Sequence, residues 1–343
     1  GGGGSDGGTA PATTADDEEG NETGIVALNL SLGAAAGEGT SGKASWLRAA
    51  VDGGRYVVKQ VPVKRGPTGG VCEGKAIEGV LNEVRLHRRL SAECSSIVRY
   101  VFAHLSGEEL VVILEACDLE LWEALTDKWS SQFGSAPGLR TLLLALSVQL
   151  CEAVSHCHRF CVLHRDINPW NIFLVSDAGK PNSWSLRLAD FGLAAELPNS
   201  AHLLEGMEAP GAAPLDESAL GSLYSAPELG ERYGLAADVF SVGMTLLALW
   251  SAGDCGGDGS ALTSVTESAK EEAAAAAKDG GGSGKVALKS WGFGRRERQL
   301  GKLVPSTLQA PASVRPSVET VRRDLLRLQS PPKGLLRCLR CKA

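Results

Sequence analysis

His164-Arg165-Asp166-Ile167-Asn168-Pro169-Trp170-Asn171 is followed, nineteen residues after Asn171, by Asp190-Phe191-Gly192. An Asp, an Asn and a second Asp stand here at the spacing that phosphoryl transfer uses. One carboxylate can orient an attacking hydroxyl and accept its proton. The amide oxygen and the second carboxylate can hold Mg2+ against nucleotide phosphates. His-Arg-Asp alone is a weak signal. Asn five positions after the Asp, with Asp-Phe-Gly downstream, makes it specific.

Further upstream, Lys59 lies in the β-like run Tyr56-Val57-Val58-Lys59-Gln60-Val61. A strand lysine among Val and Tyr needs an anionic partner, because burying an unpaired ammonium is costly. Phosphate and a helix carboxylate would serve, and Glu83 lies on the next helical stretch. The plainer reading is a lysine whose stem follows the sheet while its head reaches water. Gly37-Glu38-Gly39-Thr40-Ser41-Gly42-Lys43-Ala44 has two readings. As G-x-G-x-x-G it is a loop between strands whose amides cover phosphates. As G-x-x-x-x-G-K it falls one residue short of a P-loop, because Ala44 stands where Ser or Thr would bind Mg2+. A P-loop opens a helix, whereas this segment runs through Ser45-Trp46-Leu47-Arg48 towards a second strand.

Residues 1–24 are rich in Gly, Ala, Thr and acid and read as a disordered tail. Short β-like runs follow, from Ile25-Val26-Ala27-Leu28 to Leu110–Leu114. Among them an amphipathic helix at 75–90 carries Ile77, Val80, Leu81, Val84 and Leu90 on one side. From 119 helical spacing takes over. Leu142–His156 and Asp238–Trp250 are apolar nearly all round, so both are expected to be buried. Residues 251–285 set glycine-rich pieces around Glu271-Glu272 and five alanines. They read as a flexible low-complexity insertion with one short helix. Ordered sequence resumes near Val286, and 329–343 is a basic tail.

The 343 residues can bury a sizeable core. A net charge of −6 argues against a dedicated nucleic-acid binder. No apolar run reaches the ~18 residues of a membrane span, so no transmembrane segment is expected. The start has no basic-then-apolar leader. Nine cysteines without a regular framework suit reduced thiols in the cytoplasm or nucleus.

Ser225-Ala226-Pro227-Glu228, Asp238 in Asp-Val-Phe-Ser-Val-Gly and Arg315 in Arg-Pro-Ser complete a series. With the motifs above, in this order over 29–328, the chain resembles the eukaryotic protein kinases. The resemblance implies an α+β, two-lobed protein kinase fold. Its β-rich N-lobe would span 25–115 with one regulatory helix, its hinge 115–118, and its mainly helical C-lobe 119–328. The resemblance implies ATP and Mg2+ as cofactors and a protein substrate with a Ser or Thr acceptor; it leaves the oligomeric state open. Asp166 would orient and deprotonate the acceptor. Lys59, held by Glu83, would position the α/β-phosphates. Asn171 and Asp190 would bind Mg2+, and Gly37, Gly39 and Gly42 would let the loop close. The backbone at Glu115-Ala116-Cys117 would read adenine, with Leu114 gating the pocket behind. Glu228 and Arg315 would pair, and Asp238 would anchor the catalytic loop from below. Gly221-Ser222-Leu223-Tyr224-Ser225-Ala226-Pro227-Glu228 is similar to the serine/threonine type, and Ser222 would shape the acceptor site.

The pattern departs from the family at two places. Serine/threonine kinases carry Lys where Asn168 stands, so a charge that stabilises the transferring phosphate is missing and a slower enzyme follows. His87 stands where a usually apolar residue is expected. These departures support an alternative, a pseudokinase scaffold with weak or no transfer. Arg165 would grip a phosphorylated residue of the acidic loop after Gly192, Ser218 or Ser200, or a carboxylate in its place. His156-Cys157-His158 with Cys161 and His164 has no common zinc spacing and reads as core.

Overall fold

The structure is a computed structural model. It describes residues 30–39, 42–49, 54–62, 77–106, 109–133, 138–177, 179–180, 183–197, 203–205, 215, 217–229, 232–278, 299–309 and 311–329. Both tails, the run at 25–28, Ser200 and the stretch 279–298 lie outside them, as does the side chain of Ser218.

The first lobe is an antiparallel sheet. Its strands are β1 (Leu30–Gly39), β2 (Gly42–Ala49), β3 (Arg55–Pro62), β4 (Tyr100–Ser106) and β5 (Glu109–Glu115), in the order β1-β2-β3-β5-β4. Helix α1 (Ile77–Ser91) connects β3 to β4. Val80 closes a small core with Val61, Leu110 and Val112. Leu86 and Leu90, nearly two and nearly three turns further on, enter the main core. Leu81, expected on the same apolar face, is 55% exposed instead. The buried side of α1 turns Glu83 and His87 inward, and that orientation carries Leu81 to solvent.

The second lobe begins with β6 (Leu119–Glu120) and α2 (Leu121–Leu125), then α3 (Leu139–Arg159) and β7 (Val162–Leu163). β8 (Ile172–Ser176) and β9 (Trp184–Leu188) form a three-stranded sheet with β6. β10 (Ala195–Glu196) pairs with β7. β11 (Leu203–Glu205), α4 (Glu217–Gly221) and β12 (Arg232–Gly234) lead into α5 (Leu235–Ser251). Helices α6 (Gly259–Lys278), α7 (Leu300–Thr307) and α8 (Val318–Gln329) complete it. α3 and α5 contain the two apolar stretches read from sequence, each extended by a few residues. Every residue from Ala237 to Leu249 is buried, each large side chain contributing about 1.5–3 kcal/mol. Gly243 is required there, since a Cβ would meet Thr307 Oγ1 of α7 at 1.9 Å. Among the described residues no helix is long and apolar enough to cross a membrane.

One segment departs from the sequence reading. Residues 259–278, expected within a flexible insertion with one short helix, form a helix of twenty residues. Its Leu262, Thr266, Ala269 and Ala273 are buried, spaced three or four apart. Leu262 anchors the stripe in the main core, and the smaller Ala269 and Ala273 beyond it let the helix approach closely. The preceding turn needs Gly257, at φ +81°, where a Cβ would meet the Thr126 carbonyl at 2.8 Å.

Candidate active site

Strand β3 and helix α1 bring Lys59 and Glu83 together. The lysine Nζ lies 2.7 Å from Glu83 Oε1 and 3.3 Å from Asp190 Oδ1. Burial alone would lower the lysine pKa; the Asp190 and Glu83 carboxylates more than offset it and hold the ammonium charged. Three residues far apart in sequence thus meet across the two lobes. The plainer reading of Lys59, a head reaching water, does not hold.

The catalytic-loop candidates are locked to one another. Asn168 Nδ2 donates to Asp166 Oδ1 at 2.7 Å, and Asn171 Nδ2 donates to Asp166 Oδ2 at 2.7 Å. Asn171 Nδ2 also reaches the Asp166 carbonyl at 2.9 Å. The Asn171 amide nitrogen is therefore spent on Asp166, and its oxygen is the atom able to meet a cation. Burial pushes the Asp166 carboxyl above its ordinary range and the Asp190 carboxylate adds to this, while His164 and the two amides oppose it. Asn168 has a second task. Its Oδ1 accepts from the amides of Trp170 and Asn171 at 3.0 and 3.1 Å, capping the short 3-10 turn Pro169–Asn171.

Backbone strain marks the same region. Cys161, Arg165 and Asp190 have φ of 55°, 65° and 57°, in the left-handed region that non-glycine residues avoid. Asp190 Oδ1 accepts from the Gly192 amide at 3.0 Å, which ties its turn. Asp238, wholly buried at the start of α5, accepts from the amides of His164 and Arg165 at 2.9 and 3.0 Å and from His158 Nε2 at 2.9 Å. Burial would raise its pKa; the His158 ring and the His164 amide outweigh that and keep it ionised. The buried Arg165 guanidinium donates to the Leu193 carbonyl and to Tyr233 Oη. Arg315 pairs with Glu228 through its two terminal guanidinium nitrogens, Nη1 and Nη2.

At the connection between the lobes, the Glu115 carboxylate accepts from the Arg99 amide at 2.8 Å and from Arg187 Nε at 3.2 Å. Cys117 is buried beside Val98 and Ala189, with Leu114 against them. Both side chains are thus engaged within the fold. Gly37, Gly39 and Gly42 stand at the β1–β2 hairpin, with Gly39 paired to Gly42. The segment joins two antiparallel strands, which excludes the P-loop reading.

His87 packs well. Its ring lies 5.1 Å from Phe191, and its Nε2 is 2.7 Å from the Val98 carbonyl, so that nitrogen carries the proton. Burial pushes its pKa down to about 4, while the Val98 carbonyl pulls the other way. Between about 4 and 6.5 the unfolded chain binds a proton that the folded ring refuses, so stability rises with pH in that window. Moving from pH 7 to pH 5 is expected to cost roughly 2 kcal/mol at this residue. Thermal midpoints at both pH values should differ less in His87→Leu than in wild type; equal differences would contradict the assignment.

A small antiparallel sheet joined to a helical lobe, with a lysine–carboxylate pair over a loop aspartate, defines the protein kinase architecture. The family model described as "Protein kinase domain" matches residues 31–324. The chain belongs to the eukaryotic protein kinase family. Human mitogen-activated protein kinase kinase kinase 4 is 30% identical over 182 residues, which are 51% of this chain and 10% of that protein. Mouse serine/threonine-protein kinase Nek1 is 26% identical over 217 residues, 62% of this chain and 16% of that protein. Calcium-dependent protein kinase 7 of Oryza sativa subsp. japonica is 24% identical over 234 residues, 68% and 38% respectively. The match thus spans well under half the length of each of these three relatives.

Proposed function

We propose that this chain transfers the γ-phosphoryl group of ATP to Ser or Thr hydroxyls of protein substrates. The observation that carries the reading is the Lys59 ammonium between Glu83 and Asp190, the second of which also bears electrostatically on Asp166. A charged lysine held by two carboxylates suits the α/β-phosphates. Asp166, with both oxygens fixed by amides, suits orienting the acceptor hydroxyl and taking its proton. The backbone beside Glu115 and Cys117 suits the adenine edge, and the hairpin at Gly37, Gly39 and Gly42 suits covering the phosphates.

Oxygen donors are what Mg2+ prefers, and the Asn171 amide oxygen and the Asp190 carboxylate fit it. Held by these two groups, the ion would supply positive charge that neutralises the nucleotide phosphates. Serine and threonine as acceptors rest on the Gly221–Glu228 stretch and on the similarity to Nek1, a serine/threonine-protein kinase by name. The described cysteines are free thiols, which suits a reducing compartment such as cytoplasm or nucleus.

The test uses radiolabelled ATP, Mg2+ and a generic basic protein. Label is expected as phosphoserine and phosphothreonine, and EDTA is expected to abolish it. ATP binding without any label on protein would establish the scaffold reading instead.

A further inference from the structure

The helix that sequence reading left as an insertion reaches the acceptor loop. Lys270, in the second half of α6, extends its ammonium to the carbonyls of Ser222, at 3.3 Å, and Ser225. The same Nζ sits 5.4 Å from the ring centroid of Phe240 on α5. The Ser225 amide already donates to the Ser222 carbonyl at 3.1 Å, closing a turn. One ammonium therefore clamps both ends of that turn. The turn also touches the catalytic loop, because Tyr224 meets Trp170 edge-on at 5.8 Å, four residues beyond Asp166.

An aliphatic side chain could fill the space against Phe240 at less cost, since burying an ammonium carries a desolvation penalty. An aliphatic side chain has no N–H to tie the two backbone carbonyls of the loop, and a charged donor ties them more strongly than a neutral one. We propose that Lys270 is a positioning residue of the transfer reaction, holding Ser222–Ala226 in the shape that receives the substrate hydroxyl. The inference rests on the kinase reading above.

The charged groups around Lys270 give the proposal a pH signature. Burial lowers its pKa to about 8; Glu228 opposes this and Arg315 adds to it. Above that pH the amine loses its charge, its charge-assisted bonds weaken and the attraction to Phe240 is lost. The loop is then held less firmly.

The experiment measures kcat/KM for a protein substrate, ATP affinity, and hydrogen exchange at Leu223–Ala226 in wild type, Lys270→Met and Lys270→Arg at pH 7 and pH 9. Lys270→Met is expected to lose about tenfold or more in kcat/KM at pH 7, since small misplacements of reacting groups cost that much. Its ATP affinity should stay unchanged and its loop amides should exchange faster. Wild type should lose activity above about pH 8, and Lys270→Arg should retain it. Lys270→Met with wild-type kcat/KM, or the same alkaline loss in Lys270→Arg, would overturn the proposal. Should Lys270→Met fail to fold, the alkaline comparison of wild type with Lys270→Arg decides. Should wild type transfer no phosphate, the kinase reading fails by itself. Unchanged loop exchange in Lys270→Met would then still refute the clamp.

Discussion

Replacing Asp166 by alanine is expected to lower kcat by about 10²–10⁴-fold while ATP affinity stays near wild type. The expectation follows from what the carboxylate touches. Its two oxygens accept amides from Asn168 and Asn171, so its plane is fixed before any substrate arrives. Orientation of this kind lets a base act without reorganising in the transition state. Lys59, proposed to meet the phosphates, is held by Glu83 and Asp190 and not by Asp166, so nucleotide binding is separable from proton acceptance. Steady-state rates and a fluorescent-nucleotide titration on the same preparation check both halves. A variant that retains wild-type kcat would remove Asp166 from the chemistry.

Much of this site was legible because its residues carry type and spacing together. Lys59, Glu83, Asp166, Asn171 and Asp190 are named from sequence, and folding brings Lys59 to Glu83 and Asp190 and Asn171 to Asp166. The long apolar helices were equally plain, since a segment hydrophobic all round has only the core to occupy. Three features were hidden. The role of Asn168 as a cap depends on where the amides of Trp170 and Asn171 point, and composition carries no such direction. The inward turn of Arg165 depends on its left-handed backbone, which a sequence does not display for a non-glycine residue. Helix α6 escaped because alanine runs between glycines look like a linker. Of its buried positions only Leu262 is large; Thr266, Ala269 and Ala273 are small, so the stripe carries little hydrophobic contrast. Read with the 3.6 period, the stripe is present, and Lys270 lies between two of its members.

Removing the Asp238 carboxylate should have the largest effect on stability. Asp238→Ala leaves the buried amides of His164 and Arg165 without their acceptor and releases His158. Breaking a buried charged network in this way costs about 3–5 kcal/mol, and the thermal midpoint should fall on the order of 5–10 °C. Activity should fall further than the folded fraction does, for a separate reason. Arg165 holds φ 65°, a conformation costing roughly 1–2 kcal/mol in an L-residue, and Asp238 grips its amide. Without that grip the peptide can relax towards negative φ. Relaxation would rotate Asp166, its neighbour, away from the hydroxyl it must meet. Asp238→Asn separates the two contributions, because an amide fills the same volume yet turns an NH2 towards groups that are already donors. Both variants should therefore lose kcat at temperatures where they remain folded, and exchange of the His164 and Arg165 amides should quicken in both. Wild-type kcat in a folded Asp238→Asn variant would mean that the loop keeps its shape without this anchor.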